Sequence, residues 1–161
     1  MPLRSKDQRG FHQGPEIMVK VTLAQLPALI SAYKHRLDAV VKQSAHDVAA
    51  IANRPGPSAS ERGGAPPVPG RVPVDTGFLR NSFSSSLAGS TSLTGPDSYV
   101  MIAGAMKAGD VAHFGWTAEY APHVNYGARG RSGAHFVEGA VDQWQSIVRK
   151  NVARARQEIG L

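Results

Sequence analysis

The sequence predicts an α+β fold: a small, mostly antiparallel sheet of three to four strands packed by a long N-terminal helix and a C-terminal helix. Three observations predict it. Apolar residues recur at three and four along Leu26, Ile30, Tyr33, Leu37, Val40, Val41, Ser44, Val48 and Ile51, and no Gly or Pro occurs from Ala28 to Asn53; this is the period of an amphipathic helix. Short β-prone runs bounded by Gly, Pro and Ser follow in the middle of the chain. A second helical pattern closes it at Val137, Val141, Trp144, Val148, Val152, Ala155 and Ile159.

Residues 1–16 are polar, carry Gly10, Gly14 and Pro15, and show no period, so they read as an arm that orders only against a neighbour. Ile17, Val19 and Val21 alternate with Met18, Lys20 and Thr22 as a short half-buried strand does. In the long helix that follows, Pro27 fits only a first turn, where its missing amide hydrogen has no partner to lose. At 1.5 Å per residue the helix is about 39 Å long, more than so small a domain covers, so part of its face is expected to meet a neighbouring subunit.

Arg54 to Pro73 holds four Gly and six Pro in 20 residues, a composition that predicts an extended, mobile loop without regular structure. Ser82–Leu87, Ser98–Ala103 and Val111–Ala118 read as strands, the first two separated by a turn region with Gly89, Gly95 and Pro96. Tyr120 to Gly127 forms a compact corner, with Tyr120, Val124 and Tyr126 supplying apolar surface and Gly127 a chain reversal. Ala128 to Gly133 is a basic, Gly-rich loop. The last helix runs from His135 to Ile159 and ends at Gly160, its basic final turns suiting the negative C-terminal end of a helix.

The chain has 161 residues, 42% of them apolar, which suits one domain over 1–161 with a modest core. It contains no cysteine, so disulfides, thiolate zinc sites and cysteine nucleophiles are excluded. No apolar run approaches the ~20 residues that span a bilayer, and Met1 to Lys20 lacks the apolar core of a signal peptide; no membrane partner and a cytoplasmic setting are expected. The net charge of +6 favours an acidic partner, but the basic residues are spread along the chain and are not interleaved with aromatics as a single-strand groove requires. A solvated face is the ordinary role for most of them.

The stretch with the most local information is Val74-Asp75-Thr76-Gly77-Phe78-Leu79-Arg80-Asn81-Ser82-Phe83. Asp75 has the chemistry of an N-cap whose carboxylate accepts the amide hydrogens of Gly77 or Phe78 and starts one helical turn. Gly77 keeps the turn permissive. Leu79 and Phe83 fall on one side, which leaves Arg80 facing solvent or a partner. The same letters spell Asp-Thr-Gly, the core of aspartic proteases, in which two carboxylates share a proton. Only one copy is present, so only a homodimer would be active, and Arg71-Val72-Pro73 and Phe78-Leu79-Arg80-Asn81 replace the apolar flanks that such sites carry. His113, His123 and His135 are ten and twelve apart and lack the close-spaced pair that marks a metal site. There is no nucleophile elbow or P-loop, and Gly127, Gly130 and Gly133 lack the strand-loop-helix fingerprint of a phosphate cradle. No positive case for an enzyme, a cofactor or a metal emerges.

Taken together, Val-Asp-Thr-Gly-x-Leu-Arg-x-Ser from Val74 to Ser82 and Tyr-Ala-x-x-Val-Asn-Tyr-Gly from Tyr120 to Gly127, flanked by the two helices, resemble the tail-component or neck family of long-tailed bacteriophages, also called tail-completion or head-tail joining proteins. The resemblance covers most of the chain from Leu23 onward. Asn125 stands where that family usually has Glu, His135-Phe136 where it has Pro-Phe, and the Arg54 to Pro73 loop is longer than expected. The resemblance implies a structural virion protein assembled in host cytoplasm and placed in the neck or tail. Its partners would be itself in a ring, six-fold in preference to twelve-fold, and neighbouring connector, tail terminator or tail tube proteins. DNA would pass through the lumen without sequence-specific binding. Subunit or partner contacts are expected at Asp75, Thr76, Gly77, Leu79, Arg80, Tyr120, Val124, Asn125, Tyr126 and Gly127, and along the Arg54 to Pro73 loop. Arg129 and Arg131 are the candidate DNA-facing cations. A basic nucleic-acid-binding module using these arginines is the alternative, with the homodimeric protease of Asp75 a third.

Overall fold

In the computed structural model the described residues are 23–88 and 92–158. The expected N-terminal arm and Ile17 strand, Gly89, Ile159 and Gly160 lie outside them. The fold class is α+β: a three-stranded antiparallel sheet, a long N-terminal helix and a C-terminal helical segment.

Helix α1 spans Leu26–Ala52 with Pro27 in its first turn. The sheet has the order β4-β3-β5, formed by β3 (Phe83–Leu87), β4 (Leu93–Thr94) and β5 (Ala112–Trp116). Its register pairs Phe83 with Trp116, Ser85 with Phe114 and Leu87 with Ala112. Strand alternation therefore places these residues on one face. Leu87, Ala112 and Phe114 pack there against Ala45 of α1 and against Ala103 and Met106. Ser84, Ser86, His113 and Gly115 belong to the opposite face.

Ser98–Ala103, read above as a strand, is instead the core of helix α3 (Ser98–Ala105). Its β-branched and aromatic composition suggests a strand, but Ile102 and Ala103 are buried and the segment packs against both α1 and β3. An apolar run this short has no periodicity that separates a buried helix from a buried strand; tertiary packing decided it. The Ser98 hydroxyl lies 2.8 Å from that of Ser85, so the buried serine of the strand is satisfied by the helix.

The Pro/Gly-rich loop departs from expectation at both ends. Pro55–Gly56 (β1) pairs in parallel with Val72–Pro73 (β2), which closes the loop at its base. Val72 is fully buried. Within the loop the Ser58 amide donates to Glu61 Oε2 at 2.7 Å and the Glu61 amide donates back to Ser58 Oγ at 3.2 Å, a reciprocal turn of the capping-box kind. The segment is a pinned loop, not a free tether.

The predicted single C-terminal helix is two: α5 (Phe136–Val141) and α6 (Trp144–Gln157). Its buried face is also rotated from the predicted one. Phe136, Ala140, Ile147 and Asn151 are inside, whereas Val141 is 61% and Trp144 40% exposed. Two of those inner positions were hidden from an apolar pattern by being Ala and Asn.

A line of rings ties these layers together. His46 of α1 meets Tyr99 of α3 at 5.1 Å between centroids, Tyr99 meets Phe83 at 6.2 Å, Phe83 meets Trp116 at 4.9 Å, and Trp116 meets Phe136 at 4.7 Å. The contacts are tilted or edge-on, as the aromatic quadrupole prefers. Beside this line, the buried Asn151 amide donates to Ser44 Oγ and to Asp47 Oδ2, both at 3.2 Å, and so locks α6 to α1.

Candidate functional site

The first corner follows from the strain-free placement of one glycine. Gly77 has φ +80, a conformation that costs a residue with a Cβ but not glycine. It turns the chain into the single-turn helix α2 (Phe78–Asn81). Asp75 does not cap this turn. No side-chain hydrogen bond serves the Gly77 cap position, and the nearest substitute is Thr76 Oγ1, which accepts from the Phe78 amide at a long 3.4 Å. Asp75 and Thr76 stay exposed.

The second corner, centred on α4 (Ala121–Tyr126), stands directly against the first. Ser82 joins them: its hydroxyl donates to the Leu79 carbonyl at 2.7 Å and accepts from the Ala118 amide at 3.3 Å, while its carbonyl accepts from the Thr117 amide at 2.9 Å. Beneath both corners one buried cluster holds Val72, Leu79, Ala118, Ala121, Ala134 and Phe136, with Trp116 and Val124 packed on it. Above it the Phe78 and Tyr120 rings stack at 6.2 Å and 27°. Both rings remain at the surface, Phe78 60% and Tyr120 44% exposed. Thus the two motifs, about forty residues apart in sequence, build one rigidly backed aromatic surface.

The remaining expected contact residues divide between surface and interior. Tyr126 is 64% exposed, and Gly77, Arg80, Val124 and Gly127 are partly covered. Leu79 and Asn125 are buried, so within one chain they support the corners from below. Arg80, expected to face outward, has a buried Nε without a hydrogen-bond partner, and its charge offsets part of the upward shift of the Tyr99 hydroxyl that burial and the Asp97 carboxylate cause.

Asn125 is the residue whose role sequence reasoning missed. Its side-chain oxygen accepts from the Val137 amide at 3.1 Å, and its nitrogen donates to Glu138 Oε2 at 2.8 Å and Oε1 at 3.1 Å. A neutral amide can both donate and accept, which a carboxylate at this position cannot do while facing Glu138. Burial pushes the Glu138 carboxyl up, but hydrogen bonds from Asn125 and Tyr126 and the nearby His135 outweigh it and hold the group below its ordinary range. The separation of twelve residues from Val137 and the buried setting gave no local signal.

Gly127, with φ +87, then reverses the chain into the hairpin β6 (Gly127–Ala128) and β7 (Arg131–Ser132). A Cβ on Gly127 would lie 2.3 Å from the Arg131 carbonyl oxygen, and one on Gly133 would lie 2.2 Å from that of Asn125. The two backbones touch because both residues are glycine. Arg129 and Arg131 stand exposed at the hairpin.

His113, His123 and His135 are exposed on β5, α4 and the entry to α5, and among the described residues no group of three or more His, Asp or Glu is placed to hold a metal. A shallow cleft of about 490 Å³ between the loop base and α5 is lined by both signs of charge, from Arg54, Arg71, Glu138 and Asp142. Among the described residues no helix is long and apolar enough to cross a membrane. No protein-family model, curated protein or solved structure matches the chain.

Proposed function

We propose that this chain is a structural virion protein of a long-tailed phage neck, acting as a subunit of a ring that completes the tail end or joins the DNA-filled head to the tail. The observation that carries this reading is the convergence of its two motifs. The residues that carry the family resemblance meet around Ser82, share one buried cluster, and present Phe78 and Tyr120 outward as a stacked pair. An exposed aromatic pair on rigid backing is the form of an interface anchor, because the rings lose little conformational entropy on docking. The exposed Asp75 carboxylate three residues earlier adds a charged rim. In this reading the chain is not an enzyme, the ring is six-fold in preference to twelve-fold, and DNA passes its lumen without sequence-specific contacts.

The test is electron microscopy of lysates from a phage whose copy of this gene is disrupted, followed by complementation with Phe78→Ala, Tyr120→Ala and Asp75→Ala. Filled heads and free tails left unjoined, with rescue by the parent chain and weak rescue by the aromatic variants, is the expected result. Normal joined particles in the disruption would rule the reading out.

A second reading, a nucleic-acid-binding module, draws on the exposure of Arg129 and Arg131 at the hairpin. It requires tight, steeply salt-dependent affinity of the isolated protein for duplex DNA, whereas a lumen needs only weak affinity. A titration at two salt concentrations separates them. The Asp75 protease reading requires acid-pH peptide cleavage that disappears in Asp75→Asn.

A further inference from the structure

We infer that the outer edge of β5 is a homotypic pairing site, where Ala112–Trp116 of one free chain adds antiparallel to the same strand of a second copy. The inference does not rest on the phage reading. β5 lies at the end of the sheet order β4-β3-β5, and the hydrogen bonds around it fix which way its backbone groups point. The Ala88 amide donates to the Val111 carbonyl at 2.8 Å, and the Thr117 amide to that of Ser82 at 2.9 Å. Pairs that exchange such bonds alternate along an antiparallel ladder, so Ser86 with His113 and Ser84 with Gly115 are bonded pairs as well. The amides and carbonyls of Ala112, Phe114 and Trp116 therefore point away from β3. The same rule holds on the far side of β3, where the Phe83 carbonyl turns from β5 and accepts the Gly95 amide at 2.8 Å.

Among the described residues nothing pairs with the outer groups of Ala112, Phe114 and Trp116. The edge also lacks the devices that discourage pairing: Val111 to Thr117 contains no Pro, Lys, Arg, Asp or Glu, and its register runs without a bulge. β3 is paired on both sides, and β1, β2, β4, β6 and β7 have two residues each. Among the described residues β5 is thus the one free edge of five residues. The strand that this molecule can offer to that edge is β5 of another copy.

The strand is complementary to itself in one register. A two-fold axis at Phe114 sets Phe114 against the second copy's Phe114 and Ala112 against its Trp116, so the outer amides of each copy donate to the outer carbonyls of the other. The core faces then continue into one another. Phe114, which already stacks on Phe83 at 6.4 Å and 3°, gains a second ring across the edge, and the smallest side chain of the apolar face opposes the largest. On the polar face His113 meets the second copy's Gly115, so the one titratable side chain of the strand opposes a residue that has none. An axis at His113 instead brings the two imidazoles together and sets Trp116 against Asp110, beyond the end of the strand.

Sedimentation of the parent chain and of Ala112→Pro, with oxidation of a mixture of His113→Cys and Gly115→Cys, tests this. The chain has no cysteine, and a Cβ on Gly115 meets nothing within 4 Å, so the new thiols are the only ones and each is accommodated. Expected are a concentration-dependent dimer in the parent and at least about tenfold weaker association in Ala112→Pro, which loses the outer amide in both copies and sets a ring at the edge. That amide makes no bond within its own chain, so dilute Ala112→Pro should keep its sheet by circular dichroism. Disulfide dimers should form efficiently only when the two cysteine variants are mixed, because a non-bonded pair stands about 4.5 Å apart at Cα, within disulfide reach; this arm decides the question even where Ala112→Pro loses its sheet. A parent that stays monomeric at every concentration leaves the edge to some other strand and overturns the inference. So does an Ala112→Pro chain that keeps its sheet and associates as the parent does, or a cysteine variant that cross-links to itself as readily as to the other.

Discussion

The two halves of α1 carry the same apolar spacing and meet opposite fates. From Asp38 to Ala52 the helix is tied to its surroundings: Ala45 packs on the sheet, His46 starts the aromatic line through Tyr99, and Ser44 and Asp47 receive Asn151 from α6. From Leu26 to Leu37 residues of equal or greater apolarity stay at the surface. Periodicity announces which side of a helix is apolar; it does not say whether the chain has enough material to cover that side. Among the described residues, α6 with its 14 residues is half as long as α1 with its 27, and the end of α6 borders a cleft at Ala39, Val40 and Gln43.

That contrast can be broken first in the lower half. Phe83→Ala removes the ring at the centre of the aromatic line, which is fully buried, and is expected to cost about 3–5 kcal/mol in denaturant unfolding. Gly133→Ala comes next. Its Cβ meets the Asn125 carbonyl oxygen and the Tyr126 backbone, and backbone cannot step aside as a side chain does, so a loss of about 1–3 kcal/mol is expected in the same measurement. Asn125→Ala strips the Val137 amide and Glu138 of their partner and should cost about 1–3 kcal/mol.

Acid sharpens the comparison. Burial pushes the Asp47 carboxyl up, but hydrogen bonds from Asn151, Gln43 and His46 outweigh it, and the net direction is down from the ordinary value of 3.8. Glu138 is likewise held below its ordinary 4.5. For both, the unfolded chain binds protons more readily than the folded one, so stability rises with pH. Their contribution is present above those ordinary values and is lost as pH falls through and below them. Urea melts stepped from neutral pH into this range should show the decline, and Asn151→Ala should flatten it by removing one of the bonds that lowers Asp47. The smallest effect belongs to the upper half: Leu37→Lys in dilute solution should stay within about 0.5 kcal/mol of the parent.

Much of the fold was legible because long, periodic segments advertise themselves. The helix read from Ala28 to Asn53 runs Leu26–Ala52, and the strands at Ser82–Leu87 and Val111–Ala118 run Phe83–Leu87 and Ala112–Trp116. Where the reading failed, tertiary packing had replaced a local signal. Ser98–Ala105 is helical because α1 and β3 bury it, and the face of α5 and α6 is set by Ala140 and Asn151, neither of which contributes to an apolar stripe. At the candidate site, both motifs were visible as letters, and Gly77 and Gly127 were correctly read as turn residues. The Phe78–Tyr120 stack and the Asn125 bridge were not, since each depends on two segments meeting in space.

Amide hydrogen exchange along α1, recorded in dilute protein, tests the contrast most directly. The account predicts that amides from Val40 to Ala52 exchange only on global unfolding, whereas those from Ile30 to Leu37 exchange by local opening and so much faster. Uniform protection of the whole helix in dilute, monomeric protein would contradict it, because the upper half would then be covered by its own chain.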